Sequence, residues 1–239
     1  MSQAMLRELL EALGDAEKSG VRVVVLRGCG GHFSAGADLK DMSVARGSAI
    51  VDGKDLLAET NAAFGHVCAA FAQTPVAVIA VVEGTVMGGG FGLACAADVV
   101  IASSTVDFRL PETSLGVIPA QIAPFLVERL GYSQAKRLAV TGARFGADEA
   151  YRIGLVHQVG EDSAEHEAAI AETIKQVLAC APGAIAETKK LLRRARFVEP
   201  ANLVSHAASV FAKAARGEEG AEGLRAFVEK RKPGWATES

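Results

Sequence analysis

The sequence is poor in most of the features that mark specialised protein classes. Its longest apolar runs, such as "TPVAVIAVVEG", are too short to span a bilayer. The N-terminus shows no basic-then-apolar leader pattern and goes straight into "AMLRELLEAL". Four cysteines, Cys29, Cys68, Cys95 and Cys180, are far apart, with no CxxC pair and no His/Cys cluster. That argues against a metal site or a disulfide framework and predicts reduced, buried thiols. Positive charge is not in excess: the net charge is -3 and the isoelectric point about 6.0, which gives no reason to expect nucleic acid or an anionic membrane as a partner. These shortages together predict a soluble, cytoplasmic protein. There is no GxxxxGK[ST] phosphate loop and no GxSxG elbow, and Ser34 has no evident base beside it. "GGGFGLA" lacks the GxGxxG order and has no acidic residue about twenty positions on, so a dinucleotide site is poorly supported. No repeat, low-complexity tract or linker is apparent.

Half of the 239 residues are hydrophobic, enough for a sizeable core. The spacing of Met5, Leu6, Leu9, Leu10 and Leu13 predicts a helix over 2–18. "VRVVVLRG" and "TPVAVIAVV" are β-branched and continuously apolar, as strands buried on both faces are. A helix is expected over about 55–73, a glycine turn in "EGTVMGGG", and a short helix in "FGLACAAD". "VVIAS", "VDFRL" and "GLVHQVG" predict three further strands. From Gln121 on, helical spacing dominates, over about 121–129, 132–141, 147–153, 163–180, 183–197, 200–215 and 218–231. Strand–helix alternation implies an α/β fold with parallel strands and right-handed crossovers, followed by an all-helical last third. The expected division is a core over 1–181 and a helical region over 182–239.

Two turns stand out. Ser34-Ala35-Gly36-Ala37 and Gly88-Gly89-Gly90 each follow a predicted strand and open a helix. The first turn of a helix carries unpaired N–H groups and the positive end of the dipole. Two such turns facing one point would form an oxyanion hole. Either turn alone is equally compatible with ordinary glycine punctuation. Glu112 follows Pro111 at the exit of a strand, among apolar residues. A carboxyl so placed has a raised pKa and suits general acid–base work; the same position also suits a solvated helix-start glutamate. The histidines, His32, His66, His157, His166 and His206, show no metal-ligand spacing. The basic stretches "KKLLRRAR" and "EKRKPG" read as solvated helix faces, with Lys230 a candidate phosphate contact.

Taken together, "HFSAGADLKDM", "VEGTVMGGGFGLACAADVVIAS", "FRLPETSLGVIPA" and "EGLRAFVEKRKP" resemble the crotonase, or enoyl-CoA hydratase/isomerase, superfamily over nearly the whole chain. The resemblance implies a spiral of ββα turns with a helical C-terminal trimerisation region, in trimers or hexamers. It implies an acyl-CoA thioester as substrate and no cofactor beyond that coenzyme A. The backbone N–H groups of Ala37 and Gly89 would hold the thioester oxygen, and Glu112 would move protons. Ala35, Asp38 and Leu39 would line the coenzyme, and Phe227 and Lys230 would reach the coenzyme of a neighbouring subunit. Two departures matter. The family's usual first glutamate would fall at Gly92, which leaves Glu112 alone and room for one or two waters. The usual N-terminal strand hairpin is not seen before the first helix, which leaves a sheet edge exposed. The chain is therefore expected to be an enoyl-CoA hydratase. A finer resemblance, "GGGFGLACAAD" with "PETSLGVIPAQIAPF", points to hydratases of glutaconyl-type esters. A Δ3,Δ2-enoyl-CoA isomerase using Glu112 alone, and a non-catalytic CoA-binding protein, are the alternatives.

Overall fold

A computed structural model describes residues 1–236, apart from the side chain of Leu39. The elements run α1 (Gln3–Lys18), β1 (Val23–Arg27), α2 (Leu39–Gly47), α3 (Leu56–Gln73), β2 (Ala77–Val82), β3 (Thr85–Met87), α4 (Gly89–Ala96), β4 (Val99–Ser103) and β5 (Asp107–Arg109). They continue with α5 (Ala123–Thr141), β6 (Arg144–Phe145), α6 (Ala147–Arg152), β7 (Gln158–Gly160), α7 (Ser163–Leu178), α8 (Pro182–Ala195), α9 (Pro200–Arg216) and α10 (Glu218–Val228). A short 3-10 helix, Glu112–Leu115, follows β5. None of the helices among the described residues is long and apolar enough to cross a membrane.

One sheet has the order β1-β2-β4-β7, with β2/β4 and β4/β7 parallel; the other has the order β3-β5-β6, parallel then antiparallel. β2 is buried along its whole length, as a β-branched run between neighbours on both sides should be. β1 is not. It is the edge strand, and Val25 is 40 % exposed, so the expectation of burial on both faces fails there. The presumed glycine turn "EGTVMGGG" in fact contains β3, whose pairing with β5 is too short to leave an alternating pattern. The predicted helices 121–129 and 132–141 form one element, α5, kinked at Gly131, whose φ of 70° only glycine adopts readily.

The chain forms two compact units. The first holds residues 1–15, 25–72 and 78–170. Its core includes Phe91, Phe108 and Phe145, with ring centroids 5.4–6.0 Å apart, so α4 is anchored on the second sheet by an aromatic cluster. The thiols of Cys68 and Cys95 are buried here and pushed up to about 12 by that burial, whereas Cys29 and Cys180 are exposed, contrary to the expectation of four buried thiols.

The second unit holds residues 16–24, 73–77 and 171 onward, including α8, α9 and α10. Within it Arg231 forks onto both carboxylate oxygens of Glu222, at 2.6 and 3.0 Å, and holds that carboxyl down at about 2. Trp235 donates its indole N–H to Ala179 O at 3.1 Å. α8 and α9 bury no residue fully, and Leu192, Val204 and Phe211 on them face water: Phe211 is 74 % exposed, and Phe227 on α10 is 84 % exposed.

Candidate active site

The site is assembled by a backbone staple between the two small-residue turns. Ser34 N–H donates to Thr85 O at 3.0 Å and Met87 N–H to Ser34 O at 2.9 Å, so the first turn pairs with β3 as an isolated parallel bridge. Phe33 N–H adds a bond to Glu83 O at 3.0 Å, and Thr85 N–H donates to His32 Nδ1 at 3.0 Å. His32 is thus an acceptor within the staple. Among the described residues no group of three His, Cys, Asp or Glu could hold a metal ion.

Small residues are required where the turns meet. Gly36 has φ 95°, and a Cβ there would lie 3.1 Å from Met87 O and 3.6 Å from Gly89 N. A Cβ on Gly90 would lie 2.6 Å from Ser34 Cβ. The two turns can come together only because both positions lack a side chain. Among the described residues neither Ala37 N–H nor Gly89 N–H donates to another group. Both residues line one cavity of about 610 Å³ within the first unit. Gly89 opens the buried helix α4, so its N–H also sits at the positive end of that helix.

Glu112 lines the same cavity, at the start of its 3-10 helix. Its Oε1 would lie 3.0 Å from a Cβ on Gly88, so glycine at 88 (φ 50°) is what lets the carboxyl lie over the second turn. Glu112 is half-buried, and its Oε2 is buried without a hydrogen-bond partner among the described residues. Burial pushes its pKa above the usual glutamate value, which suits an acid–base group working near neutrality. Glu112 does follow Pro111 at a helix start, but it is desolvated there, so the expectation of a solvated helix-start glutamate is corrected by its burial.

Ala35 and Asp38 also line the cavity. Asp38 caps α2, its Oδ1 accepting from Lys40 N–H at 2.8 Å and Asp41 N–H at 3.4 Å, and these bonds lower its pKa. The other cavity carboxylates are similarly occupied: Asp41 accepts from Gln3 N–H at 3.0 Å, and Asp55 caps α3 through Leu57 N–H at 2.9 Å. The Leu39 side chain lies outside the described residues. Phe227 and Lys230 belong to the second unit. Lys230 has the left-handed φ of 53°, just past the end of α10.

The expectation of water space at Gly92 is corrected by Ile122. A Cβ on Gly92 would lie 2.0 Å from Ile122 Cγ2 and 2.6 Å from its Cβ. The place where a first glutamate would begin is occupied by a buried aliphatic side chain. Sequence reasoning also missed the Gln121–Asn61 pair, 2.8 Å apart on the cavity wall. Gly65 of α3 was the available signal: a Cβ there would lie 2.1 Å from Gln121 Oε1.

A family model described as "Enoyl-CoA hydratase/isomerase" matches residues 1–238. A probable enoyl-CoA hydratase from Bacillus subtilis (strain 168) is 32 % identical over 239 residues, covering 98 % of this chain and 89 % of that protein. The short-chain-enoyl-CoA hydratase of Clostridium acetobutylicum is 32 % identical over 230 residues, covering 95 % of this chain and 85 % of its own length. Among solved structures, an enoyl-CoA hydratase/isomerase from Marinobacter aquaeolei superposes with a TM-score of 0.94 at 49 % identity, covering 99 % of this chain and 90 % of that one. AtuE of Pseudomonas aeruginosa superposes with the same TM-score of 0.94 at 48 % identity, over 99 % of this chain and 91 % of that one.

Proposed function

This chain belongs to the enoyl-CoA hydratase/isomerase family, and from that premise we propose that it adds water across the α,β double bond of an acyl-CoA thioester. It has the crotonase fold of its structural neighbours and acts on acyl-CoA, as its family does. The observation that carries the reading is one cavity holding three things: the open N–H groups of Ala37 and Gly89, and the desolvated Glu112 carboxyl.

In the proposed reaction the thioester oxygen lies between the two N–H groups. As the β-carbon accepts a hydroxyl group, negative charge moves onto that oxygen and the fixed donors stabilise the enolate. Glu112, as carboxylate, takes the proton from water while its oxygen bonds to the β-carbon. The same carboxyl then gives a proton to the α-carbon, restoring both the C=O bond and the starting state of the enzyme. One carboxyl serves twice, because Ile122 fills the place of a second. Ala35, Asp38 and Leu39 are assigned to the coenzyme, with Phe227 and Lys230 reaching the coenzyme of a neighbouring copy. No cofactor is required beyond the coenzyme A of the substrate.

The finer reading is a glutaconyl-type ester. No Lys, Arg or His side chain lines the cavity among the described residues, so the amides of Gln121 and Asn61 are assigned to its second carboxyl group. The protein is proposed to work in the cytoplasm as a trimer or hexamer. The exposed apolar side chains Val204, Phe211, Leu224 and Phe227 in the second unit support burial between copies. Light scattering should give three or six times the chain mass, and a clean monomer at micromolar concentration would contradict that assembly.

A second reading, a Δ3,Δ2-enoyl-CoA isomerase, is favoured by the Gly92–Ile122 contact, since moving one proton between two carbons needs only one carboxyl. Mass spectrometry in heavy-oxygen water separates the two. Hydration gives a product heavier by one labelled water, from a glutaconyl-type ester faster than from crotonyl-CoA. Double-bond migration at constant mass, with no label taken up, would replace the hydratase reading by the isomerase.

A further inference from the structure

The basic stretch "KKLLRRAR" lies on α8, and α8 is held in place within the second unit. Gly183 N–H and Ala184 N–H donate to the two carboxylate oxygens of Glu219 on α10, at 2.9 and 3.0 Å. Lys189 turns inward, and its Nζ donates to Val76 O at 2.7 Å. The rest of the basic run borders a groove of about 490 Å³ between α8 and α9, the size of a small-molecule site. This groove shares no residue with the cavity of Ala37, Gly89 and Glu112.

Charge in the groove is not balanced. Among the described residues that line it, Glu187 is the one carboxylate, and Lys190 takes it at 2.7 Å. That hydrogen bond, with Lys213 and His206 nearby, holds the carboxyl below the usual glutamate value. Arg193 and Arg194 line the same groove, and among the described residues neither guanidinium has a hydrogen bond or an ion pair. Two unmatched guanidinium groups on one concave surface suit phosphate, because each planar fork can donate to two oxygens at once. Just past α8, Phe197 adds an aromatic surface to the groove. Arg196 stands over its ring, 4.8 Å from the centroid, and the side chain is still 77 % exposed. The groove is also distinct from the apolar surface assigned to contact between copies. By the period of the helix, His206 and Val210 lie on the side of α9 opposite Val204 and Phe211.

We propose that the groove between α8 and α9 binds a nucleoside di- or triphosphate, with the phosphates on Arg193, Arg194 and Lys190 and the base stacked on Phe197. Cationic forks beside an exposed aromatic ring match a ligand that joins a phosphate chain to a flat ring. Stacking is open to any base, since every base has a π-face. The site is built from residues outside the thioester cavity, so it stands or falls independently of the reaction run there.

The test is isothermal titration of the full chain with ATP and with methyl triphosphate, which keeps the phosphate chain and lacks the nucleoside. ATP should bind about ten-fold tighter, the scale of one stacked base. Phe197→Ser should abolish that preference and leave the affinity for methyl triphosphate unchanged. Arg193→Gln combined with Arg194→Gln should weaken both ligands about ten-fold or more, because charge-assisted hydrogen bonds are lost. Arg193→Lys combined with Arg194→Lys keeps the charge and should recover part of the affinity. Absence of ATP binding at millimolar concentration would overturn the inference. So would equal affinities for the two ligands, which would leave the ring without a role. ATP affinity unchanged in the glutamine pair would place the nucleotide elsewhere, in the coenzyme part of the thioester cavity, and the inference would fall. If the glutamine pair alters the particle mass and the lysine pair recovers no ATP affinity, the groove is a contact between copies, which also overturns it.

Discussion

The two turns that meet at Gly36 and Gly89 present similar N–H groups but are held in different ways. The second turn is held by the core. α4 is buried from Gly90 to Ala96, Phe91 is locked among Phe108 and Phe145, Gly90 packs on Ser34, and Gly92 packs on Ile122. The first turn is held by backbone bonds to β3 and by one obligatory glycine, while Ala35 and Ala37 on either side of it are exposed. Core packing tolerates almost no added volume. A stapled turn tolerates new side chains but not the loss of the N–H group that faces the ligand. Changes at the second turn should therefore appear in stability and activity together, and changes at Ala35 or Ala37 of the first in activity alone.

The largest effect is expected from Gly92→Glu, which restores the family's usual carboxylate. Its Cβ would start 2.0 Å from Ile122 Cγ2, so we expect loss of the folded protein rather than a better hydratase. Gly92→Ala is the graded form of the experiment and should cost roughly 1–3 kcal/mol in denaturant unfolding, the usual range for overpacking a core. Alanine at 122 would not relieve the clash, because Ile122 Cβ itself is 2.6 Å away; glycine at 122 would, since Cα stands at 3.6 Å. In a double-mutant cycle the Gly92→Ala penalty should shrink in an Ile122→Gly background. An unchanged melting temperature for Gly92→Ala would break the comparison at its root.

Ala37→Pro removes the donor of the stapled turn and should lower kcat on the order of 10²–10³-fold, the usual cost of an oxyanion donor. Circular dichroism and melting temperature should stay close to those of the unmodified protein, because Ala37 is exposed and its N–H has no partner among the described residues. A variant that melts far lower would show that the first turn also belongs to the core. Glu112→Gln comes next, with an expected loss of about 10²-fold in kcat, the usual scale for a general acid or base, and little change in thioester affinity. Full turnover in that variant would leave Glu112 as a helix-start residue only.

The first turn, the second turn and Glu112 were all legible in the sequence, because each is a short run of unusual composition beside a recognisable strand. The long helices were legible from spacing alone: α1, α3 and α7 to α10 lie within a few residues of their predicted bounds. What escaped has a common cause, in that it depends on residues far apart in the chain. β3 is three residues long and exists only through β5 and Ser34. β1 reads as a buried strand, but its place at the sheet edge is set by topology. Gly92 reads as a missing carboxylate and free space, because nothing local reveals that Ile122, thirty positions later, fills it. The same holds for Gly65 and Gln121. Gly65 and Gly92 in otherwise ordinary helices were the available clue, and both marked a side chain arriving from elsewhere, whereas Gly14 of α1 has nothing within 4 Å.

The smallest effect is a difference in slope with pH, and it tests the burial of Glu112 without any substrate. Burial raises the folded-state pKa of Glu112 above its ordinary value of 4.5. Below that ordinary value the carboxyl is protonated in both folded and unfolded chains, and burial costs it no charge. Between that value and the raised folded value the unfolded chain ionises while the buried carboxyl stays protonated, so the folded state loses stability relative to the unfolded one as pH rises. Glutamine keeps the shape and never ionises. The stability of Glu112→Gln minus that of the unmodified protein should therefore grow as pH rises from just below 4.5 towards the raised folded value, and level off above it. Glutamine leaves an amide where Oε2 now lies unpaired, which adds an offset of either sign, but that offset is the same at every pH. Only the slope reports ionisation. Partial exposure of Glu112 makes the slope modest, so it is best read as paired melting temperatures in the same buffers. A difference that stays flat across the whole window would mean that Glu112 titrates like a solvated glutamate, and the second turn would then lose its claim to a desolvated acid–base group.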